Sequence, residues 1–511
     1  MGPGADLRLP MRWSQGMELE GEATFTLDTP AGAGTVLRLD GTWWAVAPTL
    51  DGQALPTVTP GLAPLEMPLP TLAAGAHTLS LRVSMPGNEP PVVTLPNKNR
   101  SPTGGIVTLR LQQSASLGAI AVPLRKGQVA PVVTVSGAPD GATVELEIGR
   151  DGERLAHWGP ASAESELAPQ RWSGSRWGLG APELYVATAT LRDAAGVVLA
   201  QRSVRVGLRE TSLVEGVPAL NGARLPIWAV RGQPSEDPAQ AATLVASGGL
   251  DAVELHGAIA TDAWFGAFDE WGLPIVQVAR CDGKLWAPGE DPTRVLRGQS
   301  AVLADQDTRL FAASAARPSV IAWSCEGSGW VRELACGNLR NDPLGRTVLG
   351  LDVPGITIAG DHAPAPSGPT WIIEVGGPPG GVLPSPTVTA ATFGRALGKQ
   401  GAGGVVPVSG GAHSAAWAPA WTEAARAAGV QAWAPGRHRA MSVVTVDGLK
   451  PGQIAVLHAP GLAPTGAVAD TSGVATIEAW YKGKAVVLVG GVERPVEVVP
   501  DRWEGTKRAG P

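Results

Sequence analysis

The segment RWGLGAPELYVATATLRDAAGVVLAQRSVRVGLRE, residues 176–210, marks a change in the pattern of the sequence. Within it, LYVATATLRD and VVLAQRSVRVG alternate apolar and polar residues in short runs, which predicts two β-strands. After Ser212 short apolar runs alternate instead with helix-like segments. The segment therefore separates an all-β part of the chain from an α/β part.

The residues before this border predict two all-β units. Residues 21–83 contain alternating runs such as ATFTLDT and TVLRLDG, divided by the turn signals PAGAG, LDGQ and AAGAH. This is the pattern of an antiparallel β-sandwich, and the Pro- and Asn-rich residues 86–105 close the unit. We predict a jelly-roll-like sandwich over residues 1–113 and an immunoglobulin-like sandwich over residues 114–211.

The residues after the border predict a barrel and a fourth unit. Apolar runs that read as eight buried strands lie at residues 225–232, 249–257, 273–280, 319–327, 347–353, 356–362, 370–377 and 403–411. Amphipathic helices are predicted between several of them, at residues 238–248, 262–272 and 390–400. We predict a compact (β/α)8 TIM barrel over residues 212–437, with some helices short or missing, and a small C-terminal β-domain over residues 438–511.

Charge and hydropathy narrow the classes of partner. The 511 residues carry a net charge of −6, without the basic patch that neutralises phosphates, which argues against nucleic acid. No apolar run approaches the ~18 residues of a membrane span. The start, MGPGADLRLPMRW, lacks the layout of a signal peptide. We therefore expect a cytoplasmic protein by default, or an extracytoplasmic one if the chain is a mature form.

The border segment resembles the junction between the immunoglobulin-like domain and the barrel in glycoside hydrolase family two. That family has a Trp, a Pro-x-Leu-Tyr motif, a strand pair, Gly-Phe-Arg, and an Asn-Gly turn before the first barrel strand. The matching residues here are Trp177, Pro182, Leu184, Tyr185, Gly207, Arg209, Asn221 and Gly222. Residues 250–281 are similar to the second strand, helix and third strand of the β-mannosidase-like branch, and RPSVIAWS, residues 317–324, to the fourth strand.

The resemblance implies a retaining glycosidase, which needs two carboxyl groups about 5–5.5 Å apart. Glu374, at the end of the strand TWIIEVGG, matches the position of the nucleophile. The family places its proton donor five residues after the Trp of the fourth strand, and counting from Trp323 that position is Ser328. A serine cannot protonate a leaving oxygen at neutral pH. Glu326 is the nearby carboxyl, two residues earlier and on the same face of an extended segment.

Two further departures affect the expected sugar pocket. Where the family has an Arg in the second strand, this chain has Glu254, whose charge would tend to raise the pKa of Glu374. The predicted eighth strand also lacks the Trp that usually floors the pocket, since Trp417 and Trp421 lie beyond it. The candidate sugar-contacting residues are His256, Glu254, Trp323, Ser328 and Trp371.

A metal site is a third alternative, for which the sequence gives little support. Six potential ligands fall near predicted carboxyl ends of strands: His256, Cys281, Asp282, Cys325, Glu326 and His362. Their spacing matches no known ligand motif, so no metal and no other cofactor is predicted. The three cysteines, Cys281, Cys325 and Cys336, do not form a disulfide framework and are expected to be small buried apolar groups.

These observations favour a degenerate member of the family with impaired or absent glycosidase chemistry. We expect a pseudoenzyme that binds carbohydrate or serves as a structural component in a larger assembly with protein partners. The alternative is an active retaining β-glycosidase with Glu374 as nucleophile and Glu326 as a relocated acid/base.

Overall fold

The computed structural model of the protein describes residues 6–13, 19–32, 35–39, 45–57, 65–84, 107–111, 115–214, 217–225, 227–232, 252–255, 262–280, 291–298, 300–325, 329–349, 356–358, 370–373 and 442–499. Of some of these, including residues 227–232, 356–358 and 370–373, only the backbone is described. The described part is rich in strands and contains several distinct cores, as the sequence predicts for a multidomain protein.

The N-terminal unit is a two-layer sandwich. Its strands are β1 (Asp6–Leu9), β2 (Arg12–Trp13), β3 (Leu19–Leu27), β4 (Val36–Leu39), β5 (Ala45–Leu50), β6 (Gln53–Ala54), β7 (Leu65–Pro68), β8 (Gly75–Ser84) and β9 (Val107–Arg110). One layer has the order β2-β3-β8-β5-β6, and the other contains β1-β9-β4-β7. Alternate residues such as Phe25, Leu37, Leu79 and Leu109 are buried between the layers, which explains the period-2 pattern in the sequence.

The second unit, which lies where the immunoglobulin-like sandwich is predicted and is called the immunoglobulin-like unit below, packs the border segment into a core of its own. Its strands are β10 (Ser116–Ala121), β11 (Leu124–Arg125), β12 (Gln128–Val129), β13 (Val132–Ser136), β14 (Thr143–Arg150), β15 (Glu153–Ser162), β16 (Gln170–Arg171), β17 (Tyr185–Arg192) and β18 (Val198–Val206). The main sheet has the order β15-β14-β17-β18, so the two strands predicted in the border segment do pair with each other. Trp158, Leu146 and Leu191 lie in the core beneath this sheet.

The C-terminal unit shares a sheet with the N-terminal sandwich. It contains β29 (Ser442–Val446), β30 (Ile454–His458), β31 (Thr465–Val468), β32 (Ala475–Ala479), β33 (Gly483–Val489) and β34 (Val492–Val498). Strand β31 pairs in parallel with β1, which produces one eight-stranded sheet, β34-β33-β30-β31-β1-β9-β4-β7. Ile454, Val456 and Val468 join the core of the N-terminal sandwich. The two ends of the chain are therefore packed together, whereas the sequence predicts four successive units.

The central unit is a parallel sheet with helices, preceded by three short antiparallel strands, β19 (Thr211–Val214), β20 (Val217–Leu220) and β21 (Ala223–Arg224). Its elements are β22 (Ile227–Gly232), β23 (Ala252–Leu255), α1 (Asp262–Trp271), β24 (Ile275–Arg280), α2 (Pro292–Gly298), α3 (Ser300–Ser314), β25 (Val320–Cys325), α4 (Gly329–Cys336), a 3-10 helix (Gly337–Asn341), β26 (Thr347–Leu349), β27 (Ile356–Ile358) and β28 (Thr370–Ile373). Helix α1 confirms the helix predicted at residues 262–272.

Among the described strands the order differs from the predicted ring at two places: β28 lies next to β22, and β26 and β27, predicted as neighbours, form opposite edges of the sheet. The sheet runs β26-β25-β24-β23-β22-β28-β27, so β28 pairs directly with β22. A (β/α)8 barrel has its eighth strand at that position, next to the first. The segments predicted as the eighth strand, residues 403–411, and as helices at 238–248 and 390–400 lie outside the described residues. Closure into a TIM barrel therefore stays a prediction.

Gly466 tests the joint between the two ends of the chain. It lies in β31, where a Cβ would sit 2.5 Å from the carbonyl oxygen of Ala455 and 3.0 Å from Leu7. We expect Gly466→Ala to lower the unfolding free energy by about 1–3 kcal/mol, because backbone atoms would have to move. Urea unfolding measures the change. Gly298→Ala is the control, since a Cβ there meets nothing within 4 Å, and equal stability of the two variants would contradict the packing described.

Candidate active site and the junction that positions it

The two expected catalytic carboxyls follow strands that end at the same edge of the parallel sheet. Glu326 comes directly after β25, and Glu374 directly after β28. Both residues lie outside the described part of the chain, so only the ends of their strands are placed. Strands β24, β23 and β22 separate β25 from β28, which is about 19 Å along a flat sheet. A separation suited to a retaining glycosidase therefore requires the sheet to curl.

Side chains on one face of the parallel sheet pack together, as a curled sheet requires. Ala252, Val276, Ala322 and Leu349 come from four successive strands and belong to one buried cluster. The same cluster contains Trp177, Leu184, Leu220 and Leu225, which precede the parallel sheet in sequence. Residues from the immunoglobulin-like unit and from the short linking strands thus cover this face of the sheet.

Contacts of the border segment fix which end of the sheet is covered. Arg209 donates to the carbonyl oxygen of Val320, the first residue of β25. A Cβ on Gly207 would lie 2.7 Å from Pro318, which also precedes β25. The immunoglobulin-like unit is therefore seated at the amino ends of the strands, and the carboxyl ends, where Glu326 and Glu374 follow, lie at the opposite edge.

Asp269 is the centre of this junction. Its side chain is fully buried, and Oδ1 accepts the backbone N–H of Ser319 at 2.9 Å. Oδ2 lies 3.1 Å from Nη2 of Arg205, which is itself buried. The indole N–H of Trp177 donates to the Asp269 carbonyl at 2.9 Å, and Asn221 donates to the Trp177 carbonyl at 2.9 Å. Several residues that carry the sequence resemblance therefore act together at the domain junction.

Trp323, a candidate for sugar contact, is a core residue. It is fully buried, its indole N–H donates to Asp342 at 2.9 Å, and the guanidinium of Arg346 lies 4.5 Å from its ring centre. Burial opposes ionisation of Asp342. The positive charge of Arg346 outweighs this effect, together with hydrogen bonds from Arg346 and Trp323, and the pKa of the Asp342 carboxyl is lower than usual. This position does not support a contact between Trp323 and sugar.

The register of β25 determines on which face of the sheet Trp323 lies. Val320 pairs with Ile275, but Ala322, not Ile321, pairs with Val276, so β25 contains one extra residue at this point. Because successive residues of a strand face opposite sides, the extra residue moves Trp323 to the other face of the sheet. A bulge of this kind has no signature in the sequence.

The remaining candidates are only partly placed or lie outside the described residues. His256, Ser328, Asp282 and His362 belong to the second group, together with Cys281, Glu326 and Glu374. For Glu254, Trp371 and Cys325 the backbone is described, and each lies in a strand, β23, β28 and β25. Strand pairing sets Glu254 level with Arg231 of β22 and Val276 of β24. Arg231 was not predicted to lie beside Glu254, because the sequence does not show which strands pair.

Two expectations about cysteines and metals can be examined in the described residues. Cys336 is buried, as predicted, but it is disulfide-bonded, which the sequence did not predict. Its partner lies among the side chains that are not described. Within the described ranges no group of three or more His, Cys, Asp or Glu side chains is arranged to hold a metal ion. None of the described helices is both long and apolar enough to cross a membrane.

Solved structures similar to this chain include β-galacturonidases of glycoside hydrolase family 2 and β-glucuronidases. A β-galacturonidase of that family from Eisenbergiella tayi, bound to glycerol, is 16% identical with a TM-score of 0.54, over 79% of this chain and 78% of that chain. A β-glucuronidase from Ruminococcus gnavus in complex with D-glucaro 1,5-lactone is 13% identical with a TM-score of 0.52, over 74% of this chain and 71% of the other. Bifidobacterium dentium β-glucuronidase complexed with coumarin-3-O-glucuronide is 16% identical with a TM-score of 0.51, over 65% of this chain and 65% of that chain.

These similarities establish a fold like that of glycoside hydrolase family 2, which confirms the predicted resemblance. No protein-family profile matches the sequence. No curated protein sequence matches it either. At 12–16% identity the likeness concerns the fold and not the chemistry.

The role of Trp323 can be tested with a matched pair of substitutions. Trp323→Phe removes the indole N–H bonded to Asp342, whereas Trp158→Phe removes a buried indole N–H with no partner in the described part of the chain. Both delete similar volume. We expect Trp323→Phe to cost about 1–3 kcal/mol more in urea unfolding, because a buried acceptor loses its donor. Equal costs would show that the Trp323–Asp342 bond contributes little.

Glu270, beside the junction, predicts a pH dependence of stability. Burial raises its pKa to about 7; Arg205, 3.2 Å away, opposes the rise and Asp269 adds to it. Since the folded pKa exceeds the unfolded one, the unfolding free energy should fall as pH rises from about 4.5 to about 7, by up to about 3 kcal/mol from this group. Glu270→Gln should remove that slope in thermal and urea unfolding, whereas Glu164→Gln, an exposed control, should keep it. An unchanged slope in Glu270→Gln would contradict this assignment.

Proposed function

We propose that this protein is a glycoside-hydrolase-family-2-like scaffold with impaired catalysis that binds carbohydrate at the carboxyl end of a (β/α)8 barrel. The observation that carries the proposal lies between β25 and α4. Strand β25 ends at Cys325 and α4 begins at Gly329, and the position corresponding to the family's proton donor is Ser328. A hydroxyl at this place cannot act as the general acid that glycosidic cleavage needs.

The contrast between the two ends of the sheet supports this reading. At the amino ends the junction residues of the resemblance make hydrogen bonds, which are buried for Trp177 and partly buried for Asn221. At the carboxyl ends the acid position has lost its carboxyl. A chain that has the packed junction but a serine at the position of the proton donor fits a protein that uses the scaffold to bind a ligand or a partner.

An active retaining β-glycosidase is the second candidate. It is favoured by the similarity to β-glucuronidases and β-galacturonidases and by Glu326, which directly follows β25. In this case Glu374 would be the nucleophile and Glu326 the acid/base. The substrate would then be a β-glycoside, with β-uronides included among the candidates.

Hydrolysis of aryl β-glycosides separates the two candidates. The panel contains mannoside, galactoside, glucoside, glucuronide and galacturonide, assayed with wild type, Glu374→Gln, Glu326→Gln and the control Glu333→Gln, an exposed carboxylate on α4. We expect no turnover by any of the four, and glycan-array binding that is retained in Glu333→Gln and weakened in Glu374→Gln.

Turnover that is lost in both Glu374→Gln and Glu326→Gln but kept in Glu333→Gln would replace the proposal with the active enzyme. Absence of both turnover and glycan binding would favour a structural role, which light scattering of the purified protein at increasing concentration would reveal as assembly.

A further inference from the structure

A groove runs between the immunoglobulin-like unit and the C-terminal unit, apart from the carboxyl ends of the parallel strands. Two adjoining clefts form it, and both are lined by Val186, Leu462 and Trp480. The larger cleft has a cavity volume of about 170 Å³, so it is a shallow, open groove, and it lies at an interface between units, where small-molecule sites are frequent. We call this feature the Trp480 groove.

The walls of the Trp480 groove are held together by a chain of hydrogen bonds. The N–H of Ala463 donates to Ser203 at 2.7 Å, and Thr188 donates to the Gly461 carbonyl at 2.8 Å. The two hydroxyls are 2.7 Å apart, so Ser203 donates to Thr188. This circuit joins β17 and β18 to the loop before β31, and it sets the width of the groove without a ligand.

The tip of the β14–β15 hairpin closes one side of the groove. Asp151 and Gly152 form the turn, both with positive φ, and a Cβ on Gly152 would lie 3.5 Å from Pro460 and 3.8 Å from Tyr481. The hairpin therefore rests on the C-terminal unit. It contributes the carboxylates of Asp151 and Glu153 to the lining.

The lining combines aromatic surface with an excess of acceptors. Trp480 and Tyr481 are the aromatic residues, and Arg205 lies 4.2 Å from the Trp480 ring centre. Arg150 and Arg154 are engaged by Glu183 and Glu147, each at 2.8–2.9 Å. Five carboxylates and three guanidiniums line the two clefts, and two of the carboxylates, Asp6 and Glu478, are paired with Arg110 and Arg8 outside the lining. An anionic ligand would be repelled, whereas the hydroxyl groups of a neutral sugar can donate to carboxylates and pack against aromatic residues.

We propose that the Trp480 groove is a binding site for a neutral oligosaccharide, separate from the barrel end. It would hold a glycan chain against the side of the protein by contacts from two units. This proposal holds whether the carboxyl end of the barrel hydrolyses a glycoside, binds a carbohydrate or does neither. It also differs in ligand charge from the uronide-bound enzymes that share the fold.

Saturation-transfer-difference NMR of the full chain tests the site with neutral oligosaccharides of glucose, mannose, xylose, galactose and N-acetylglucosamine, and with tri-galacturonic acid as the anionic probe. Asp151→Asn combined with Glu153→Gln replaces two charged acceptors with neutral amides and keeps a residue that tolerates positive φ at the turn. Leu462→Trp narrows the groove. Glu166→Gln, an exposed carboxylate outside the groove, is the matched control.

We expect at least one neutral oligosaccharide to bind wild type, Glu166→Gln and Glu374→Gln equally, and to bind both groove variants about tenfold more weakly. The saturation-transfer signal of tri-galacturonic acid should be the same for wild type and for the groove variants. The proposal fails if no neutral oligosaccharide binds at ~10 mM, or if binding is the same in the groove variants as in Glu166→Gln. Binding lost in Glu374→Gln but not in the groove variants would assign the ligand to the barrel instead.

Discussion

The buried ion pair between Arg205 and Asp269 joins three parts of the protein. Arg205 belongs to the immunoglobulin-like unit, Asp269 to the first helix beside the parallel sheet, and the Arg205 guanidinium also stacks on Trp480 of the C-terminal unit. Taking both charges out of water costs several kcal/mol, and such a pair persists only when its remaining atoms are also engaged. Asp269 meets this condition through the N–H of Ser319. Arg205 meets it in part, through Glu270 and the Trp480 ring, because its buried Nε has no hydrogen-bond partner in the described part of the chain. The seating of the sheet on its neighbours depends on this arrangement.

The sequence was sufficient for the parts of the fold whose signals are local. The strand pair in residues 176–210 and the helix Asp262–Trp271 follow from hydrophobic period, and the junction follows from a spaced set of residues including Trp177 and Asn221. The shared sheet was not predictable in this way. Alternation shows that residues 6–9 and 465–468 are strands, but it carries no information about which strands pair when they come from opposite ends of the chain.

The candidate site was less predictable than the fold because it depends on register. One extra residue in β25 places Trp323 on the side that packs against Asp342 and Arg346, although the sequence named it as a candidate for sugar contact. Glu270 escaped notice for a related reason. Its position on an amphipathic helix gives no hint that a second unit, through Arg205, covers it.

The two ends of the parallel sheet are subject to different constraints. At the amino ends a change such as loss of Gly207 would force backbone and Pro318 apart, so stability itself preserves the junction. At the carboxyl ends residues that follow the strands contribute to chemistry and little to packing. Ser328 at the position of the family's proton donor is therefore compatible with the fold that this chain shares with a β-galacturonidase at 16% identity. The junction also reaches the Trp480 groove, because Arg205 pairs with Asp269 and stacks on the ring of Trp480.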